Sequence, residues 1–259
     1  MFTVNAARSD KESEERMTDS SMIPKKQKLR NLRRNLHTKL GTKCLKLHGV
    51  HLVSDPKRLP KDVYYGIFTG QYKDTEAAII KQKVKQGDRV LEIGAGVGFV
   101  SIMCAQLAGE ENVRSFEANP AMEAMIRENH GLNKISPMLE MKAVTRDGTP
   151  VSFYVSDNIL SSSLYDRSLD GKEIEVESVA LKDVVADWKP NTIVMDVEGA
   201  EVDILGHDPL PGVDRLILEV HPHIVGAEAI DEMLERLSSI GLKQTFRHRK
   251  SVLLERSAT

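Results

Sequence analysis

The stretch VLEIGAGVGF, residues 90–99, decides the fold of this chain. An apolar run is followed by Gly94, Gly96 and Gly98, and a second apolar segment then covers residues 100–107. This pattern predicts a buried strand, a tight turn and the start of a helix. Glycines let the backbone turn sharply and let a ligand lie against it without an intervening Cβ. We therefore expect a nucleotide-type cofactor site at the carboxyl end of a parallel strand.

The glycine spacing distinguishes between two kinds of cofactor. In the dinucleotide pattern G-x-G-x-x-G the third glycine would stand at position 99, which is Phe99 here. It stands instead at Gly98, so the pattern that starts at Glu92 is E-x-G-x-G-x-G. That pattern resembles motif I of the class I S-adenosylmethionine (SAM) methyltransferases. The alternative is an ordinary strand-to-helix turn without a ligand.

A second acid favours the cofactor interpretation. Residues 113–117 read as a short strand that ends in Glu117, 19 residues after Gly98. A carboxylate at the end of the second strand can accept hydrogen bonds from both ribose hydroxyls of a bound adenosine. A solvated carboxylate is the alternative, but we favour the cofactor role because Glu117 accompanies the glycine turn.

Charge divides the chain into a basic extension and an acidic body. Residues 22–50 carry nine Lys or Arg and no acid, and residues 1–21 have a net charge of −2. Residues 51–259 therefore carry −9, since the whole chain of 259 residues carries −2. We predict an N-terminal extension over residues 1–50 and a methyltransferase domain over residues 51–259.

The extension itself has two parts. We expect residues 1–21 to be disordered and residues 24–48 to form a basic amphipathic helix, because leucines recur there at helical spacing. Such a helix suits an anionic partner such as RNA, a phosphorylated substrate or a membrane surface. A solvated arm whose leucines pack on the body is the favoured alternative, because no aromatic residues interleave the charges.

Composition points to an intracellular protein. The two cysteines, Cys44 and Cys104, fit no metal or redox spacing. No apolar run approaches the length of a membrane span, and the N-terminus lacks the apolar middle of a secretory signal. We expect a cytoplasmic location. The sequence does not indicate the oligomeric state.

The order of predicted elements indicates the fold class. Helical and strand patterns alternate along the body, and residues 150–182 change to a period of two, which predicts a small antiparallel insertion. We expect a doubly wound, mostly parallel seven-stranded α/β sheet of the Rossmann-like class I methyltransferase type. The predicted strands are 89–93, 112–117, 138–144, 192–196, 216–220, 242–246 and 251–255, the last two forming a hairpin; the predicted helices are 77–84, 98–108, 120–130, 200–205 and 226–239.

Polar residues end the fourth and fifth predicted strands. Asp196 and Glu198 follow one strand, and Glu219, His221 and His223 follow the other. We expect these strands to be neighbours that both abut the first, which would bring the side chains to the cofactor. His221 is the favoured base for an acceptor hydroxyl, and Asp196 would hold that hydroxyl or orient the histidine. Glu198 either joins this site or only interacts with the helix dipole. A metal at these groups is the less favoured alternative, and we predict none.

Four segments together resemble one branch of the SAM enzymes. EIGAGVG at 92–98, FEANP at 116–120, VALKD at 179–183 and MDVEGAE at 195–201 are similar to FkbM-type methyltransferases, and FTGQY at 68–72 resembles the lead-in segment of that family. The resemblance implies a SAM-dependent O-methyltransferase that acts on a hydroxyl of a small molecule or sugar. It departs from the family at Glu92, where Asp is usual, and at Val194, where Lys is usual. The residues it implies for the donor are Glu92, Gly94, Ala95, Gly96, Gly98, Glu117, Ala118 and Asn119. The residues that match the acidic signature of the family near the acceptor are Asp196, Glu198 and Glu201.

Two other functions remain as alternatives. The first is an NAD-dependent oxidoreductase, which Phe99 and the predicted C-terminal hairpin disfavour. The second is a nucleic-acid-binding protein that keeps a vestigial SAM fold and uses its basic extension, with salt-dependent RNA binding as its signature.

Overall fold

The computed structural model describes residues 43–155, 172–206 and 208–257. Apolar runs of four or five residues form its central strands, and longer segments with apolar spacing of three or four form its helices. The strands are β1 Cys44–Leu47, β2 Val50–Val53, β3 Val90–Ile93, β4 Val113–Phe116, β5 Met138–Glu140, β6 Ala143–Thr145, β7 Val151–Val155, β8 Lys172–Val176, β9 Ser178–Ala180, β10 Thr192–Met195, β11 Arg215–Glu219, β12 Leu242–His248 and β13 Ser251–Arg256. The α-helices are α1 Lys61–Thr69, α2 Asp74–Lys83, α3 Phe99–Ala108, α4 Glu123–Asn133, α5 Leu181–Trp188, α6 Glu201–Leu205, α7 Pro222–Val225 and α8 Ala227–Ser239.

A seven-stranded sheet organises the domain. Its strand order is β12-β13-β11-β10-β3-β4-β5. All neighbours are parallel except at β13, which runs antiparallel to both β11 and β12. Every residue of β3 and β10 is buried, as expected for strands covered by helices on both faces. The predicted fold class, a doubly wound class I methyltransferase sheet, is confirmed.

The chain reverses its direction of winding at β3. From β3 it continues to β4 on one side, whereas β10 occupies the other side after the insertion. Such a reversal opens a crevice beyond the carboxyl ends of the strands, and ligands of open α/β sheets bind there. The glycine turn follows β3 directly, so the topology places it at this crevice.

One predicted strand is split in two. Residues 138–144 form β5 at the sheet edge and β6 outside that sheet, where β6 pairs in parallel with β9. The chain leaves the edge after Glu140 because β6 is fully buried and needs its own partner strand. The period-two insertion is confirmed as the antiparallel pair β7 and β8. The helices α1, α5 and α7 were not predicted.

The predicted basic helix over residues 24–48 is wrong at its carboxyl end. Residues 44–47 form β1, which pairs with β2 across a turn where His48 and Gly49 both have positive φ. Positive φ at both central residues is the geometry that two-residue hairpins favour. The hairpin forms because Leu47, Val50 and Leu52 bury their side chains against the domain, so a boundary at residue 50 would cut it. Residues 1–42, Ser161 to Ser163 and His207 lie outside the described residues.

Two asparagines on α4 attach this hairpin to the domain. The Asn129 side chain accepts a hydrogen bond from the Val53 N–H at 2.8 Å and donates one to the Val97 carbonyl at 2.8 Å. Asn133, one helical turn further, accepts from the His51 N–H and donates to the His51 carbonyl. The two side-chain amides therefore satisfy backbone groups of β2 that would pair with a neighbouring strand in a larger sheet.

We expect Asn129→Ala to lower the free energy of unfolding by about 2–4 kcal/mol, because it leaves a buried N–H and a buried carbonyl without partners. Urea unfolding followed by circular dichroism measures this change. Asn112→Ala is the control. Asn112 donates to the Ala108 carbonyl, which also accepts from the Gly87 N–H and the Gln86 amide, so its loss should cost less than about 1 kcal/mol. Equal losses in the free energy of unfolding for Asn129→Ala and Asn112→Ala would contradict the prediction.

In the part of the chain that the structure describes, every helix is too short or too polar to cross a membrane.

Candidate active site

A cavity of about 770 Å³ opens at the crevice beside β3. Its walls come from the carboxyl ends of four parallel strands, from α1 with the segment that follows it, and from the turn of the C-terminal hairpin. Residues from each wall include Gly94, Gly96, Phe116, Glu117, Ala118, Asp196, Glu198, Glu219, Tyr72, Lys73, Glu76, Lys142, His248, Arg249 and Lys250.

The glycines of the turn serve different purposes. Gly94 has a φ of +90°, and a Cβ built on it would lie 1.9 Å from the backbone oxygen of Asp196. A side chain there would collide with the end of β10, so Gly94 is required by the packing of the two strands. Gly96 has a φ of +58°, and its nearest neighbour would be the Tyr72 hydroxyl at 3.6 Å. Gly96 therefore leaves bare backbone at the cavity wall.

Gly98 supports the turn from behind. A Cβ on Gly98 would lie 3.0 Å from Ile126 of α4, and its φ is +77°. The carbonyl of Gly98 accepts a hydrogen bond from Ser101, whose oxygen lies 3.1 Å from Nε2 of His130. Burial lowers the pKa of His130 to about 4, so the ring is neutral and its Nε2 donates to Ser101.

Glu117 lies directly against the glycine turn. Its Oε2 accepts a hydrogen bond from the Gly96 N–H at 2.7 Å, and its Oε1 accepts one from the Asn119 N–H at 2.8 Å. The residue is 8 % exposed, and burial raises the pKa of its carboxyl above 4.5. Glu117 and Ala118 both line the cavity, so a carboxylate borders the space next to bare backbone.

The other residues predicted for the donor lie behind this surface. Glu92 is 2 % exposed, and burial raises the pKa of its carboxyl to about 7. Ala95 donates its N–H to the Phe116 carbonyl, which fixes the turn to β4. The Asn119 side chain accepts a hydrogen bond from the Ala121 N–H and so caps the short helix 120–122. Of the eight predicted residues, Gly94, Gly96, Glu117 and Ala118 line the cavity, and Glu92, Ala95, Gly98 and Asn119 do not.

His221 is held in one orientation by a carboxylate that sequence analysis assigned to the acceptor. Glu201 is fully buried, and its Oε1 accepts a hydrogen bond from the His221 N–H at 2.7 Å and lies 3.3 Å from Nδ1. Its Oε2 accepts a hydrogen bond from the Gly199 N–H at 2.8 Å. This arrangement assigns the ring proton to Nδ1 and leaves Nε2 as the basic nitrogen. Glu201 does not line the cavity and acts through His221.

Three carboxylates surround the other side of the ring. Nε2 of His221 lies 3.2 Å from Glu198, 3.7 Å from Asp196 and 3.8 Å from Glu219. Among the described residues it makes no hydrogen bond of acceptable geometry. Burial lowers the pKa of His221, but the Glu201 hydrogen bond and the charges of Glu198 and Asp196 outweigh burial and bring it above 6.5. Burial and the nearby Asp196 raise the pKa of Glu219 to about 7.

Lys73 completes this cluster, and sequence analysis missed it. Its ammonium contacts the Asp196 carboxylate and lies 3.7 Å from Glu219. Burial would raise the pKa of Asp196, but the Lys73 charge and hydrogen bond lower it below 3.8. Lys73 precedes Asp196 by 123 residues, so no local pattern links them. In the sequence, the one indication that Lys73 belongs to the site was its position directly after the 68–72 segment.

Several expectations about this region need correction. We expected both β10 and β11 to abut β3, but β11 pairs with β10 and β13, so of these two strands β10 alone lies next to β3. His223 is exposed on α7 and its ring contacts His221, so only one of the two histidines reaches the cluster. Glu198 precedes α6 with a φ of +48° and faces His221, whereas Glu201 and Asp203 occupy the first turn of that helix.

The comparisons with known proteins agree with this fold. A family model described as the TRM5/TYW2 methyltransferase domain matches residues 49–166. The match supports a class I methyltransferase with S-adenosylmethionine as its cofactor. It does not single out the FkbM type, so that resemblance stays a prediction.

Curated relatives match a shorter part of the chain. The ribosomal protein L11 methyltransferase of Bacillus velezensis is 36% identical over 76 residues, which is 29% of this chain and 24% of that protein. The enzyme of the same name from Bacillus subtilis is 33% identical over 76 residues, with the same coverage. The aligned part is therefore about a quarter of the length of these relatives. Among solved structures, M. jannaschii TYW2 in complex with AdoMet has a TM-score of 0.45 at 14% identity, covering 83% of this chain and 86% of that chain.

The cavity fits this cofactor on its own geometry. An adenosine needs an acceptor for its ribose hydroxyls, and Glu117 presents a carboxylate at the cavity wall. The amino-acid tail of the donor must approach the backbone closely. A Cβ built on Gly96 would have no neighbour nearer than the Tyr72 hydroxyl at 3.6 Å, so the backbone there is accessible. A cavity of about 770 Å³ also lies in the range of pockets that enclose a ligand of that size.

Proposed function

We propose that this chain is a SAM-dependent methyltransferase that methylates a hydroxyl placed between the glycine turn and the carboxylate–histidine cluster. The observation that carries the proposal is the pairing of His221 with Glu201, which leaves Nε2 basic at 3.7 Å from Asp196. Asp196 lines the cavity, and the buried His221 lies directly behind it. When bound, SAM supplies a methyl group that its sulfonium has already activated. The protein must therefore align the acceptor and remove its proton.

In this proposal Glu117 holds the ribose hydroxyls, and Gly94, Gly96 and Ala118 allow the donor to lie against the backbone. Glu92, Ala95, Gly98 and Asn119 contribute indirectly, because they fix the turn and the loop after β4. Alignment can supply roughly 7–11 kcal/mol of the barrier, so the rigidity of the turn matters as much as the contacts it makes.

On the acceptor side, the hydroxyl proton passes through Asp196 at the cavity wall to Nε2 of His221 behind it, as the oxygen becomes nucleophilic. Glu201 stabilises the imidazolium that results, because its carboxylate contacts the opposite ring nitrogen. Asp196 accepts a hydrogen bond from the acceptor and so orients it toward the donor. Glu198, at 3.2 Å from Nε2, adds to the stabilisation of the charged ring.

A macromolecular acceptor is the second candidate. The relatives from Bacillus are named for ribosomal protein L11. The exposed basic residues Arg249 and Lys250 line the cavity at the hairpin turn, and Lys142 lines another wall. Positive charge at the cavity suits an anionic surface such as RNA. The anionic partner predicted for residues 24–48 and the cytoplasmic location remain predictions.

A labelled-methyl assay separates these acceptors. The full chain is incubated with SAM that carries a radioactive methyl group, in parallel with hydroxylated small molecules and sugars, with ribosomal protein and with RNA. Transfer to a small-molecule hydroxyl supports the first candidate, and transfer only to protein or RNA replaces it with the second. Calorimetry with SAM and with NAD tests the cofactor, and binding of NAD without SAM would reject both candidates.

Gly96→Leu provides a specific test of the donor site. We expect SAM, which should bind the native chain at micromolar level, to bind this variant at least about 100-fold more weakly, because the side chain would fill the open space above the turn. The fold should persist, since no backbone atom blocks that space. Gly212→Leu is the matched control, because it is the same change at a glycine with a φ of +75° and open space around its Cβ, outside the cavity lining. Unchanged SAM affinity in Gly96→Leu would contradict the placement.

A further inference from the structure

The Lys73 side chain is directed into the domain by an unusual backbone. Lys73 has a φ of +46° and a ψ of 38° at the start of α2, a left-handed conformation that non-glycine residues rarely adopt. Its side chain is 12 % exposed, and its ammonium contacts Asp196 and lies near Glu219. Strained backbone of this kind persists where the surroundings hold a functional side chain in place.

The groups around this ammonium form a metal-type ligand set. Asp196, Glu219 and His221 each offer one donor atom, and these atoms lie within 4.8 Å of one another. His221 is 1 % exposed, and its Nε2 points into the cluster without a hydrogen bond. Two carboxylate oxygens and an imidazole nitrogen are donors that divalent first-row cations accept.

We infer that the Lys73 ammonium is the resident cation of this ligand set. It neutralises the carboxylates in the place where a divalent ion would otherwise bind. If an ammonium and a divalent ion bound the same carboxylates, the two cations would lie about 4 Å apart and would repel each other strongly. The native cluster therefore functions with a lysine charge and without a metal ion, and removal of Lys73 opens a divalent-cation site. The inference rests on the geometry of the cluster and holds whichever acceptor the enzyme uses.

The charges around the cluster agree with one resident cation. Asp196, Glu198, Glu201 and Glu219 supply negative charge, and the Lys73 ammonium supplies the buried positive charge beside the imidazole of His221. Lys250 also lies 3.9 Å from Glu219, but its side chain is 46% exposed and can turn into solvent. The Lys73 side chain is only 12% exposed and cannot turn into solvent in this way. Burial lowers the pKa of Lys73, but the charges of Asp196 and Glu219 outweigh it, so the amine stays protonated.

The experiment measures Mn²⁺ binding by the full chain, from the loss of the free-ion EPR signal and from calorimetry. We expect Lys73→Met to bind Mn²⁺ roughly 100-fold more tightly than the native chain, because a like charge has left the site. Adding His221→Asn or Asp196→Asn to Lys73→Met should abolish the gain. Lys83→Met is the matched control, since Lys83 is likewise a partly buried lysine paired with a carboxylate, Glu255 at 2.9 Å, but it lies away from the cavity.

Lys73→Gln is a second variant for the case that Lys73→Met does not fold. Its uncharged amide can still donate a hydrogen bond to Asp196. Near-UV circular dichroism shows whether each variant is folded. Equal Mn²⁺ affinity in the native chain and in both folded Lys73 variants would overturn the inference, as would a gain of the same size in Lys83→Met. Binding of SAM is measured separately, so a failure of the proposed function and a failure of this inference give different results.

Discussion

Gly94→Ala is expected to prevent stable folding of the domain. Its Cβ would lie 1.9 Å from the backbone oxygen of Asp196, at a φ of +90° that alanine avoids. The neighbouring atom belongs to the end of β10 and cannot rotate away, so β3 and β10 would have to separate. We expect a loss of more than about 4 kcal/mol, which is a large part of the stability of an ordinary domain. Thermal and urea unfolding of the purified variant measure it.

Gly96→Ala is the matched control for this prediction. Gly96 has a φ of +58°, and its added methyl would meet only the Tyr72 hydroxyl, at 3.6 Å. The expected cost is about 1 kcal/mol, from the left-handed backbone alone. If Gly94→Ala melted within a few degrees of Gly96→Ala, the close approach between the turn and β10 would be wrong.

His221→Gln is expected to lower kcat by a factor of about 10²–10⁴, the usual contribution of a general base. The substitution keeps a polar group at the end of β11 but removes the nitrogen that would take the proton. The measurement is labelled-methyl transfer to the acceptor that the assay identifies. SAM affinity is the control, because His221 does not line the cavity and lies behind Asp196 and Glu198. Full activity in this variant would remove His221 from the proposed chemistry.

The pH profile tests the role of Glu201. A base must be neutral, so activity should fall as the pH decreases through the pKa of His221, which lies above 6.5. Glu201→Gln removes the charge that stabilises the imidazolium, and the pKa of His221 should fall. The acidic limb of the profile should then move to lower pH while kcat also decreases. A lower kcat with an unmoved limb would mean that Glu201 only supports the fold.

The donor half of the site was largely predictable, because its residues lie close together in sequence. Gly94, Gly96 and Glu117 follow two adjacent strands, and parallel strands bring their carboxyl ends to one edge. The structure adds which of the neighbouring residues turn toward the cavity. Asn119, for example, does not line the cavity, and its side chain accepts a hydrogen bond from the Ala121 N–H and caps a short helix.

The acceptor half was predictable only in part. Asp196, Glu198 and His221 follow strands that a hydrophobic pattern identifies, and the structure brings both carboxylates within 4 Å of Nε2 of His221. The role of Glu201 was misplaced, because position in a motif does not show whether a carboxylate faces a cavity or a buried ring. Lys73 carries no signal of its own, since only its left-handed backbone sends the side chain inward.

Hydrophobic periodicity and the glycine spacing were sufficient to predict the class of fold, the order of its main strands and the edge at which ligands bind, because these depend on local patterns. Side-chain orientation and the pairing of charges over long separations were decided by packing. Lys73 and Asp196 meet across 123 residues, and the hairpin at 44–53 forms because buried apolar contacts and two asparagine amides outweigh the helical spacing of its leucines. Contacts of this kind involve residues far apart in the chain, which is why no single segment shows them.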